Sequence, residues 1–122
     1  MSVFLYDSYA VIEYIRNNLR YIPYFETHAG VLTLLNILEV YYSVLNEWGE
    51  EKAALVLETI YPLMIEPNTE TIKAAMKFRR EHKQKGLSYA DCLGYQMALE
   101  RGIKFLTGDS QFKGVRNVEF VT

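Results

Sequence analysis

Cysteine is almost missing from this chain of 122 residues: Cys92 stands alone, so no intrachain disulfide can form. Long apolar runs are missing too. The best candidate, VLTLLNIL, is stopped by Glu39 well short of the ~20 residues a membrane span requires, which excludes a membrane helix and points to a soluble protein. The first residues, MSVFLYDSYA, have neither the basic start nor the unbroken apolar run of a signal peptide, and a cytoplasmic location is expected. Positive charge is not in excess: 13 Lys plus Arg against 15 Asp plus Glu give a net charge of −2, so no global basic field holds polyanions and any nucleic-acid contact must be local. Aspartate is scarcest of all. Only Asp7, Asp91 and Asp109 occur beside twelve Glu, which makes the position of each Asp informative.

Half of the residues are apolar, and there is no repeat, low-complexity tract or linker, so residues 1–122 are expected to form a single domain around one core. Strand and helix signals alternate along it. SVFLY (2–6) reads as a strand. DSYAVIEYIRNNL (7–19) follows as a helix with Val11, Ile12, Ile15 and Leu19 at helical spacing. An irregular or helical connection surrounds Pro23, GVLT (30–33) offers a second strand, and a long helical run over 34–60 is expected to break near Trp48 and Gly49. PLMIEP (62–67) reads as a short buried or edge strand. The next segment, 69–86, reads as a basic-faced helix ended by Gly86. Ser88 and Gly102 bracket a further helix, after which come the strand IKFLT (103–107), the turn GDSQF and a last strand in NVEFV (117–121). This order predicts a three-layer α/β/α domain with a central, mainly parallel sheet and right-handed crossovers.

In such a sheet, ligands gather outside the carboxyl ends of the strands; Asp7 follows VFLY and Asp109 follows KFLTG. Asp91 lies in the first turn of the helix that feeds the Asp109 strand. Glu39 interrupts an apolar stretch, where a buried carboxylate needs a partner or a cleft. Plainer readings stand beside these. Asp7 and Asp109 are placed to cap helical turns, Asp91 sits where a capping-box acid would follow Ser88, and Glu39 fits a polar stripe with Asn36 and Ser43. Were the four to converge, their repulsion would call for cations, and an all-oxygen site favours Mg²⁺ or Mn²⁺ over zinc. Such a site suits phosphodiester hydrolysis. Cys92 is expected to pack in the core, and His28 and His82 to lie outside the site.

Four segments together, VFLYDSYAVIEYI, LLNILEVYYSVL, LSYADCLGYQMALERG and IKFLTGDSQFKGVRNVEFV, resemble PIN-domain proteins of the VapC-like toxin ribonuclease kind over nearly the whole chain. The resemblance implies an acidic metal site of Asp7, Glu39, Asp91 and Asp109. It further implies Ser8 as a residue positioning water or phosphate, Mg²⁺ or Mn²⁺ as cofactor, RNA as substrate, a small antitoxin as partner, and a homodimer. One departure is Gln111, where a further acid often follows the T-G-D turn. The competing expectation is a catalytically silent PIN-like scaffold that binds protein. Lys113, Arg116 and the basic helix over 73–85 are the local positive charge available to an RNA path.

Overall fold

The computed structural model describes residues 1–122. VFLY forms strand β1 (Val3–Tyr6), and its alternation is two-sided: Phe4 and Tyr6 enter one apolar cluster and Leu5 another. Both faces of this strand are therefore covered, as expected of a central strand in a parallel sheet. Helix α1 (Ser8–Ile15) ends four residues earlier than its apolar spacing suggests, because Asn17 turns the chain through a left-handed conformation at φ 64°. The connection around Pro23 contains helix α2 (Ile22–Glu26), with proline in its first turn, and strand β2 (Ala29–Thr33) follows.

The long apolar run divides as expected into α3 (Leu34–Trp48) and α4 (Glu50–Ile60), with Gly49 at φ 92° between them. The proline-fenced segment contributes only a two-residue strand, β3 (Met64–Ile65). Helix α5 (Thr69–Glu81) stops before Gly86, the residues between closing as a 3₁₀ turn over Lys83–Lys85. Helix α6 (Tyr89–Arg101) has the predicted limits, Ser88 before it and Gly102 in the left-handed conformation after it. Strand β4 (Lys104–Thr107), a 3₁₀ turn over Ser110–Phe112 and strand β5 (Val118–Phe120) complete the chain.

The sheet has the order β3-β2-β1-β4-β5, and every pairing is parallel. One face packs against a cluster that includes Val11, Ile37, Val40, Val44 and Ile60 from α1, α3 and α4. The other packs against Cys92, Tyr95, Met97 and Ala98 of α6 together with Leu87 and Phe112. The result is the three-layer α/β/α arrangement with Cys92 fully buried in its core. No helix is long and apolar enough to cross a membrane.

Candidate active site at the carboxyl edge of the sheet

The strand order reverses beside β1: the chain builds outward through β2 and β3 on one side, then returns to place β4 and β5 on the other. Such a reversal opens a crevice at the carboxyl ends of the two strands that flank it. Those ends are Tyr6 of β1 and Thr107 of β4, tied together by the Asp7 N–H, which donates to the Leu106 carbonyl at 3.0 Å.

Asp7 occupies the cap position of α1 yet makes no capping hydrogen bond. Its carboxylate turns across the crevice, where Oδ2 accepts the Thr107 hydroxyl at 2.7 Å, and the residue is only 3 % exposed. Capping therefore does not account for Asp7. Ser8, also buried, donates its hydroxyl to Glu39 Oε1 at 2.6 Å and accepts the Asn36 amide at 3.1 Å. Asn36 is itself fixed, because its Oδ1 receives the Thr33 N–H and hydroxyl in the capping box of α3. With its amide donating, the Ser8 proton is left to point at Glu39. Glu39 lies one helical turn beyond Asn36; the residue is exposed on α3, but its carboxylate is drawn inward to Ser8.

Asp91 and Asp109 do act as caps. Asp91 Oδ2 accepts the Ser88 N–H at 2.9 Å while Ser88 Oγ accepts the Asp91 N–H, a complete capping box. Asp109 Oδ1 accepts the Gln111 N–H, and the Asp109 N–H returns to Thr107 Oγ1. Gly108, between Thr107 and Asp109, has no room for a side chain: a Cβ there would collide with the Val121 carbonyl, the Tyr21 hydroxyl and the Tyr9 ring.

The four carboxylates share one electrostatic neighbourhood. Burial pushes the Asp7 pKa up to about 7, helped by the charges of Asp91 and Glu39 and opposed by Thr107 and the Ser8 backbone. Glu39 is raised by desolvation of its carboxylate and by Asp91, against the Ser8 hydrogen bond. Asp91 is raised by burial and by Asp109, against its bonds to Ser88. Asp91 is thus the hub that couples to each of the other three. His28, whose Nδ1 accepts the Ser2 N–H, and His82, packed on Phe78, stand apart from this group.

The structure departs from a ready-made cage: no three of the His, Cys, Asp and Glu side chains are gathered closely enough to enclose an ion. The reason lies in the hydrogen bonds, since each carboxylate is drawn back to a donor of its own, at Thr107, Ser8, Ser88 or Gln111. Magnesium commonly uses one or two carboxylates and completes its shell with water, so the all-oxygen donor set fits a hard divalent ion without such a cage. Two contributors escaped the sequence reading as site residues, Thr107 and Asn36. Both carry a legible signal: a threonine closing an apolar strand, and an asparagine three residues after the helix-capping Thr33.

Solved structures share this fold along its whole length. A toxin-antitoxin complex from Klebsiella pneumoniae matches with a TM-score of 0.74 at 18% identity, covering 100% of this chain and 97% of that one. DNA-bound VapBC from Salmonella typhimurium gives 0.73 at 20%, covering 99% and 98%. VapBC2 from Rickettsia felis, bound to a promoter DNA fragment, gives 0.71 at 16%, covering 98% and 97%. At these identities the likeness speaks for the fold. Comparison with curated protein sequences gives no match. The family model of the PIN domain, however, matches residues 6–118, from the last residue of β1 to the first of β5, and the chain therefore belongs to the PIN domain family.

Proposed function

We propose that this chain is a divalent-metal-dependent endoribonuclease, the toxin of a toxin-antitoxin pair, which hydrolyses RNA phosphodiester bonds at Asp7, Glu39, Asp91 and Asp109. One observation carries the reading. Asp7 is a buried acid beside Thr107, outside any capping role, and the charges of two further acids add to the cost of ionising it. A cation offsets that cost, and a structural role alone would be served better by an uncharged residue. Asp7, Asp91 and Asp109 would hold Mg²⁺ or Mn²⁺, with Glu39 completing the site. The bound ion supplies charge neutralisation on the phosphodiester and a lowered pKa for water. The Asn36–Ser8 pair aims Glu39 inward, where its carboxylate orients the attacking water and accepts a proton. Thr107 holds Asp7 and the Asp109 backbone in register with each other.

The antitoxin is supported by the likeness to the toxin-antitoxin complexes and by an apolar groove on the α1–α4 face. This groove is a cavity of about 880 Å³ lined by residues such as Phe25, Trp48, Leu55 and Val56. A homodimer is supported by exposed Leu34, Leu38 and Tyr42, which repeat every fourth residue along α3. The separation of the four carboxylates favours a second reading, a silent protein-binding scaffold.

Incubation of the purified chain with a mixed structured RNA pool in Mg²⁺, Mn²⁺ or chelator separates the two. Cleavage that disappears with chelator and with Asp7→Asn is the expected result. Intact RNA under all conditions would leave the scaffold, and cleavage that survives Asp7→Asn would refute the site.

A further inference from the structure

Positive charge and exposed aromatic surface meet on one flank of the acidic rim. Tyr89, the first residue of α6, whose first turn also carries Asp91, is 59 % exposed. One of its faces carries the Arg79 guanidinium at 4.4 Å from the ring centre. That guanidinium is itself held, since its Nε donates to the Leu87 carbonyl at 3.1 Å. The ring is thereby fixed from beneath with its outer surface left in solvent. On the same flank Lys85 spans from the 3₁₀ turn after α5 to the turn that carries Asp109, donating to the Gln111 carbonyl at 3.1 Å. Lys83 and Lys113, each two residues along the chain from an end of that bridge, are exposed. In a chain of net charge −2, this flank gathers positive charge next to the acids.

We infer that Tyr89, backed by Arg79, is a stacking platform for one unpaired nucleobase of the RNA, with Lys85 and Lys113 holding adjacent phosphates. The inference rests on the proposed ribonuclease reading and deepens it by naming the residue that would select an unpaired base. Only an unstacked base can lie on the ring: in a duplex the base faces are occupied by their neighbours. An aromatic platform accepts any base, so the site selects strandedness rather than sequence. The lysines supply the local attraction that the overall charge withholds.

The test is fluorescence anisotropy of a labelled single-stranded oligoribonucleotide with the full chain in chelator, so that binding is read without cleavage. Tyr89→Ala is expected to weaken binding about tenfold to a hundredfold, and Tyr89→Trp to restore it. Emission of the new Trp, measured in a Trp48→Phe background, should be quenched as the base stacks. Lys85→Ala and Lys113→Ala should each reduce the slope of log affinity against log salt by about 0.7. Duplex RNA of the same sequence should bind alike to wild type and Tyr89→Ala. Wild-type affinity in Tyr89→Ala overturns the platform and leaves the ring to a protein contact, while equal losses for single strand and duplex overturn the stacking. No RNA binding by wild type in chelator, like normal binding by Tyr89→Ala, overturns this inference alone, whereas intact RNA in the Mg²⁺ and Mn²⁺ cleavage assay removes the ribonuclease reading and this one with it.

Discussion

Replacing Asp7 with Asn should stabilise the metal-free protein while abolishing its function. The folded-state pKa of Asp7 is raised from 3.8 to about 7. Between roughly those pH values the folded state keeps a proton that the unfolded chain has released, so stability falls as pH rises through that window. Above about pH 7 the penalty is complete. At about 1.4 kcal/mol per unit, a rise of roughly three units sets a ceiling near 4 kcal/mol, and relaxation around the ionised group brings the expected value closer to about 2 kcal/mol. Asn keeps an oxygen for the Thr107 hydroxyl and carries no charge. Urea denaturation in chelator should therefore show a gain of about 2 kcal/mol at pH ~8, equivalent to roughly 5–15 °C in Tm, and almost none at pH ~4. The wild type should lose stability across the window in which the variant stays level. A variant destabilised equally at both pH values would refute the burial-and-charge account of Asp7.

Asn36→Ala removes a buried amide, one half of the capping box of α3 and the donor to Ser8, and should cost about 1–3 kcal/mol in urea denaturation; wild-type stability would show that this network is idle. Thr107→Val strips the hydroxyl from Asp7 and the acceptor from the Asp109 N–H. Its expected effects are a loss of about 1–3 kcal/mol and protonation of Asp7 at higher pH than in wild type, read from carboxyl chemical shifts; an unmoved titration would contradict the assigned cause.

Much of this was legible in the sequence because the apolar segments are short and their punctuation is strong. Gly49 between α3 and α4, and Ser88 and Gly102 around α6, mark boundaries that the structure reproduces. Limits set by tertiary context were less visible. The apolar spacing reaches Leu19, but the chain turns at Asn17 and leaves Leu19 78 % exposed. The proline-fenced segment pairs through two residues only, because β2 ends at Thr33 where α3 begins and Tyr61–Leu63 before it form a 3₁₀ turn. The three Asp stand out by scarcity, and the capping of Asp91 and Asp109 is legible, whereas the attachment of Asp7 is not. The sequence marks Asp91, three residues after Ser88, as a capping-box acid, but nothing in it shows that Asp7, at a cap position, ignores its helix. That difference depends on Thr107, one hundred residues away from Asp7, reaching the same crevice. The separation of the carboxylates was equally hidden, since it follows from four local hydrogen bonds rather than from spacing along the chain.

The central claim, that these carboxylates form one cation-holding site, is tested most directly by titrating Mn²⁺ into the purified chain and following the free ion by electron paramagnetic resonance. The parallel titration uses Asp91→Asn, which alters the acid coupled to the other three. The account predicts saturable binding by wild type, weakened about tenfold or more in a folded Asp91→Asn protein. Absence of saturable binding by wild type, or equal affinity in the two proteins, would contradict it.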